Sequence, residues 1–339
     1  MRVLRLLKWM TVALMFTGAC ASEIARAEAT AIRVGRTPTL SQLPIYVLES
    51  EKLIEKHLKA AGSGDMAVTF IDVTGGAVLN DMLLSGNLQF ATGGVPPFLI
   101  LWSRALGTPS EVKAIAAVGG TPSTLYTRNP NVQSIKDLSP ADKIAVAGVK
   151  SSQVAILLQM AAAQAFGEKN YDRLDALTVT VRDADAVGVL KSGKGELTGH
   201  FTYDPYRKAY EADSAIRPIL QSRDVLGGVG TVTVTYATSQ FYKANPKIVA
   251  AYFAALQEAD ELIRRDPGRA ARAFKQLAAA SQSEAELEQM IRQPDAQYSI
   301  APVAISRIAA FMSGIGTIKV APKNWTDLFF PEAHSLPGN

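Results

Sequence analysis

Short apolar runs rich in β-branched residues alternate along the chain with longer stretches whose apolar positions recur at helical spacing. "IRVG" (32–35) precedes a helical pattern over 43–58, and "AVTFIDV" (67–73) precedes one over 77–84. "LQFA" (88–91) precedes "FLILWSRA" (98–105), and "VKAIAAV" (112–118) follows. A second series, "TLYTR" (124–128), "KIAVAG" (143–148), "ALTVTV" (176–181) and "ELTGHF" (196–201), is interleaved with helical patterns over 152–166 and 183–190. From Phe241 onward the pattern is mainly helical, with Asn245 predicted as a cap and Pro246 at a first helical position. Such alternation predicts an α/β fold with largely parallel sheets.

Glycine-rich stretches at 119–122 and 224–239 divide the two series. Two crossings imply insertion: one lobe over 28–120 and 235–339, the other over 121–234. A ligand is then expected between the lobes, where strand ends and helix starts converge.

Charge changes the picture only at the N-terminus. Arg2, Arg5 and Lys8 precede an apolar run from Trp9 to Ala21, and Ala25-Arg26-Ala27 has the small-x-small form of a cleavage site. Residues 1–27 therefore read as a secretory signal peptide, too short in its apolar part to span a membrane comfortably. Beyond Ala27 the chain holds 31 basic and 30 acidic residues, so the pI near 9 belongs to the leader and no nucleic-acid surface is implied. Cys20, the single cysteine, lies in the leader, which excludes disulfides, cysteine nucleophiles and zinc–thiolate sites from the remainder. Lipidation at Cys20, after "TGAC", is the alternative processing, although Thr17 stands where such a box usually has leucine.

Several catalytic patterns fail. "GVLKSGK" (188–194) approaches a phosphate loop but continues with Gly195 in place of the Ser or Thr that would bind magnesium. "GVGTVT" (228–233) lacks the third glycine of a dinucleotide fingerprint. The histidines, His57, His200 and His334, are scattered and form no metal set. No cofactor, metal or catalytic group is indicated.

What remains is a repeated arrangement at strand-to-helix turns: Arg36 to Gln42, Thr74-Gly75-Gly76, Thr92-Gly93-Gly94, and Lys150 to Gln153. The first N–H groups of a helix lack internal partners and its start carries partial positive charge. Several such starts facing one cleft make an anion site without many formal charges, and small residues let the ligand reach the backbone.

The stretches "GGAVLNDMLLSGNLQFATGGVPP", "KIAVAGVKSSQVAILL", "GHFTYDPYRKAY", "VLGGVGTVTVTYATSQFYKANPKIVAAYFAALQEAD" and "APKNWTDLFFPEAHSLPGN" resemble the nitrate/sulfonate/taurine class of periplasmic solute-binding proteins of ABC transporters, a class overlapping the thiamin-pyrimidine-precursor binders. The resemblance implies a two-lobe, type II Venus-flytrap fold, a small-molecule ligand and no enzymatic activity. It also implies a monomer in the periplasm that delivers its ligand to a membrane permease with its ATPase. By position it places Arg36, Thr39, Ser41, Gln42, Gly75, Gly76, Thr92, Gly93, Gly94, Thr121, Ser151, Ser152, Gln153, His200, Phe201, Tyr203 and Gly228 at the ligand. Arg36 is the expected charge partner of a sulfonate or taurine-like anion. A pyrimidine or other heterocycle is the alternative ligand, with Asp72 or Asp204 as the acid. A biosynthetic enzyme of the same fold is a third reading, disfavoured by the outward leader and the lack of cysteine. Asp204 and Pro205 read as a helix cap and first-position proline; Trp102 and Trp325 read as core.

Overall fold

A computed structural model describes residues 29–339; the leader, its cleavage site and Cys20 lie outside the described residues. Ten strands form two five-stranded sheets. The first holds β1 (Ala31–Arg36), β2 (Ala67–Asp72), β3 (Phe90–Gly94), β4 (Val112–Gly119) and β10 (Thr233–Thr238). Its order is β2-β1-β3-β10-β4. The second holds β5 (Ser123–Thr127), β6 (Ile144–Val146), β7 (Thr178–Thr180), β8 (Gly199–Tyr203) and β9 (Arg217–Gln221), in the order β7-β6-β8-β5-β9. The second sheet is thus built entirely from chain between β4 and β10, as an inserted α/β lobe. Both sheets are mixed rather than largely parallel, because β10 runs antiparallel to β3 and β4, and β5 runs antiparallel to β8 and β9. β10 starts two residues before the expected border at 235, and β9 is a strand that the sequence pattern did not predict.

Burial follows what covers each strand. The central strands β3 and β10 are buried on both faces, and so is edge strand β4, whose outer side is covered at Ala114 by the segment Phe329-Phe330, whereas edge strand β2 alternates between exposed and half-buried residues. One core cluster packs the helices Leu43–Ser50, Leu53–Ala60 and Pro246–Arg265 on one face of the first sheet, around Tyr46, Phe90 and Tyr252. The other face carries the helix Val95–Ala105, which meets the helix Gln153–Phe166 of the second lobe, so one apolar cluster runs through both lobes. Trp102 is buried in it and Trp325 packs against it, as expected.

Local departures have local causes. The predicted helix over 43–58 is two helices, because Lys52 adopts a left-handed conformation (φ 50°) between them. Pro246 takes the first helical position as expected, but Asn245 does not cap with its side chain. Its Oδ1 accepts from the Ala29 N–H and its Nδ2 donates to the Phe241 carbonyl. Asp204-Pro205 is a cis peptide in a turn rather than a helix start, and the Asp204 carboxylate pairs with Arg207.

At the lobe junction three segments lie side by side. Gly120 and Gln297 exchange backbone hydrogen bonds of 2.8 and 2.7 Å. The Val232 N–H donates to Gly119 O, and the Thr231 N–H donates to Val303 O. Further contacts tie the lobes at the end of β8. The Leu40 N–H donates to Asp204 O (3.2 Å), the Tyr206 hydroxyl to Pro38 O (3.3 Å), and Arg207 Nη2 to Gln293 Oε1 (2.7 Å).

Asp260, on the helix Pro246–Arg265, is 6% exposed, and its Oδ1 has no hydrogen-bond partner among the described residues. Burial pushes its carboxyl up to about 8, against a hydrogen bond from the Ile300 backbone and the nearby Arg264 charge. An unfolded Asp titrates near 3.9, so between about pH 4 and 8 the folded state holds a proton that the unfolded state lacks. Stability therefore falls as pH rises through that window, by up to about 1.4 kcal/mol per pH unit. In urea titrations at pH 5 and pH 8, wild type is expected to lose stability relative to Asp260→Asn. Parallel pH profiles would show that the buried carboxyl does not titrate there.

Candidate functional site

A cleft of about 800 Å³ opens between the two sheets, within the size range of pockets that enclose organic ligands. Helix starts supply much of its wall. Gly75 (φ 87°) turns the chain from β2 into the helix Gly76–Leu84, and space around it is open where a Cβ would project. That start has no side-chain cap, and the first intrahelical bond from its N-terminus is Leu79 N–H to Gly75 O. From the other lobe comes the start of the helix Gln153–Phe166, with Ser151, Ser152 and Gln153 at the cleft. Ser152 Oγ accepts from the Ala155 N–H at 3.4 Å. Gln153 is 3% exposed, and its Oε1 has no hydrogen-bond partner among the described residues. Thr39 and Ser41 complete this region, their hydroxyls 2.9 Å apart. Gln42 also lines the cleft, but its amide nitrogen donates to Thr37 Oγ1 and Thr92 O, which leaves it bracing the loop.

The Thr92-Gly93-Gly94 segment is not a turn. It is the end of β3, and the next helix follows at once. That helix offers no free donor at its start: Pro96 and Pro97 have no N–H, and the Val95 N–H donates to Val232 O at 3.0 Å. Gly93 and Gly94 do line the cleft, but packing explains Gly93, since a Cβ there would lie 2.7 Å from Leu79 Cδ2. Thr92 points the other way, to the face that carries Phe90, and is fully buried.

Six of the expected ligand residues do not line the cleft: Arg36, Thr92, Thr121, His200, Phe201 and Gly228. Arg36 shares its strand face with Val34, toward the first core cluster. There its Nε donates to Asp72 Oδ1 (2.9 Å), its Nη1 lies 2.5 Å from Glu49, and its guanidinium sits 3.9 Å from the Tyr46 ring centroid. This arrangement also occupies Asp72, one of the two acids foreseen for a heterocycle; Asp204, the other, is held by Arg207. Thr121 is buried at the lobe crossing, and Gly228 follows the short helix Ser222–Leu226. Phe201 lies deep in the apolar cluster, while Tyr203, two residues on, reaches the cleft from the same strand face.

His200 and Thr202 occupy the opposite face of β8, and there they meet a residue that sequence reasoning passed over. Asp183, in the first turn of the helix Asp183–Ser192, lines the cleft. Its Oδ1 accepts from Thr202 Oγ1 (2.5 Å) and lies 3.1 Å from His200 Nε2, while His200 Nδ1 lies 2.6 Å from the Tyr210 hydroxyl. Tyr206, also missed, joins Tyr203 beside it. Burial first, and the negative charge of Asp183 second, push the Tyr206 phenol up to about 12 and raise Tyr203 further. The helical acid pattern "DADA" was the available signal. Charge at the cleft is balanced: Asp81 and Asp183 against Arg104 and Arg182. Apolar side chains, among them Leu79, Ile100, Leu101 and Val232, make up much of the remainder.

The NMT1-like family model matches residues 25–278. The chain belongs to the NMT1-like family. No curated protein sequence matches it. Solved structures match this NMT1-like protein in fold at low identity. The alkanesulfonate-binding protein SsuA from Xanthomonas axonopodis pv. citri, bound to MOPS, is 19% identical with a TM-score of 0.68, over 88% of this chain and 96% of that one. The periplasmic aliphatic sulphonate-binding protein SsuA from Escherichia coli is 15% identical with a TM-score of 0.66, over 92% and 95%. The periplasmic nitrate-binding protein NrtA from Synechocystis PCC 6803 is 12% identical with a TM-score of 0.66, over 89% and 85%. The NMT1-like chain thus has the α/β periplasmic binding protein fold, and no described helix is long and apolar enough to cross a membrane.

Proposed function

We propose that this protein is the extracytoplasmic solute-binding component of an ABC importer. It captures a small organic anion between lobes bordered near residues 120 and 233, and it is not an enzyme. Export by the leader, action as a monomer and delivery to a permease with its ATPase complete the reading. The observation that carries it is the uncapped start of the helix Gly76–Leu84, open to the cleft opposite Ser151 and Ser152 at the start of the helix Gln153–Phe166. Free N–H groups, amide and hydroxyl donors, and a positive helix end suit a sulfonate or carboxylate without a formal cation. The names of the sulfonate- and nitrate-binding structures agree with this chemistry. Arg36 is not part of the proposed site. Thr39, Ser41, Gly75, Gly76, Ser151, Ser152 and Gln153 are.

Calorimetric titration with short-chain alkanesulfonates and the matching carboxylates tests the proposal. Wild type is expected to bind one of the two series. Gln153→Leu is expected to weaken that binding by about ten- to a hundredfold, the worth of one hydrogen bond to a charged group. Undiminished affinity in a Gln153→Leu protein with wild-type melting would remove the amide from the anion site. Failure of both series to bind would overturn the anion reading.

A further inference from the structure

Behind the cleft wall, where the chain crosses between the lobes, lies a much smaller cavity of about 10 Å³. Thr121 and Pro122 line it from the outgoing segment, and Val229, Gly230 and Val232 from the returning one. The second lobe contributes Gln153 and Leu157 from one helix and Ser222 and Leu226 from another, while Asp295 closes it from the first lobe. Gln153 and Val232 line this cavity and the ligand cleft alike, so they form the partition between the two.

Two polar side chains at this cavity lack partners. Thr121 and Gln153 are each 3% exposed, and among the described residues neither Thr121 Oγ1 nor Gln153 Oε1 has a hydrogen bond. Ser222 is also buried. Its Oγ accepts from the Ser123 N–H at 3.0 Å, and its own proton has no acceptor among the described residues. Unpaired burial of polar atoms is unfavourable, and such atoms are found with protein or water partners. The space is about what one water molecule needs, and two to four polar groups around it are what hold an internal water. Charge disfavours a cation: the one carboxylate at the cavity, Asp295, already faces Arg223 Nη1 at 3.8 Å. Water suits hydroxyl groups in either sense, since it both donates and accepts.

We propose that this cavity binds one ordered water, which joins the Thr121 hydroxyl of the crossing segment to the Gln153 amide and the Ser222 hydroxyl of the second lobe. Thr121, expected at the ligand, is then a positioning residue one layer behind it. Through the water it holds the amide of Gln153, which borders the cleft. The bridge goes beyond the proposed function and does not depend on which solute the cleft takes.

A crystal structure of the wild-type protein that resolves ordered solvent gives the direct test. One peak is expected at about 2.6–3.2 Å from Thr121 Oγ1, the Gln153 amide and Ser222 Oγ. No peak, or a direct Thr121–Gln153 hydrogen bond in its place, overturns the proposal. A shell of six or more oxygens at about 2.3–2.6 Å identifies a metal cation and overturns it as well. A double-mutant cycle tests the bridge in solution. Thr121→Val and Gln153→Met keep most of the bulk of each side chain, and each is expected to lower the urea midpoint. Either change breaks the same bridge. Gln153→Met is therefore expected to shift the midpoint in a Thr121→Ser background, which keeps the hydroxyl, as it does in wild type. In a Thr121→Val background its shift is expected to shrink to about half or less. Equal shifts in the two backgrounds overturn the bridge. The wild-type crystal structure is independent of any effect of the substitutions on folding.

Discussion

Gly120→Ala is expected to lower stability by about 1–3 kcal/mol, read as a shift in the urea midpoint. A Cβ at Gly120 would lie 2.4 Å from the Gly230 carbonyl oxygen, a backbone atom of the returning crossover. Neither segment yields easily, because Gly120 also exchanges two hydrogen bonds with Gln297. Its neighbour is equally confined: a Cβ at Gly119 would lie 2.4 Å from the Ser41 carbonyl oxygen. The useful contrast is Gly188→Ala. Gly188 is an exposed residue within the helix Asp183–Ser192 with open space around it, and alanine there is expected to add about 0.5–1 kcal/mol. Wild-type stability in Gly120→Ala would mean that the crossing segments separate at little cost.

Arg36→Met is expected to cost about 2–3 kcal/mol of stability and to leave ligand affinity unchanged. The guanidinium is 3% exposed, faces two carboxylates and stacks on Tyr46. Breaking a closed buried pair costs about 3–5 kcal/mol. Here Asp72 and Glu49 retain contact with water, at 51% and 30% side-chain exposure, and the penalty is correspondingly smaller. Melting and calorimetric titration with a sulfonate probe separate the two roles. A tenfold loss of affinity at wild-type melting would return Arg36 to the cleft.

The placement of Arg36 outside the cleft lining shows which part of the cleft the sequence carries. A strand that ends before a helix marks the level of the cleft, and that much was legible at Gly75-Gly76 and Ser151 to Gln153. Which way a side chain points at that level depends on the phase of strand alternation. Arg36 shares a face with Val34 and stands in register with Asp72 on β2, so both charges turn away from the cleft together. The same alternation sends His200 and Thr202 behind Asp183 and lets Tyr203 through. Asp183 itself sits in a first helical turn, where an acid is ordinary, and only the strand beneath reveals its hydrogen bonds to His200 and Thr202. The fold was more legible because it rests on repeated alternation of apolar runs, which survives local errors. The break at Lys52, the length of β3 and the missed strand β9 did not alter the architecture.

The position of β10 governs the order in which the chain can fold. It lies between β3 and β4 and pairs antiparallel with both, so these two strands have no edge in common. Until residues 233–238 have been synthesised, the first sheet has a gap through its middle, and the facing edges of β3 and β4 stand open. Strands β5 to β9 come from one continuous stretch and can assemble during that interval, so the inserted lobe is the first that can be completed. Closure of the first sheet must wait for contacts distant in sequence, the slow kind of step. Over that interval the unfilled slot is a site for wrong strand pairing, and its lifetime is set by the time needed to make the other lobe.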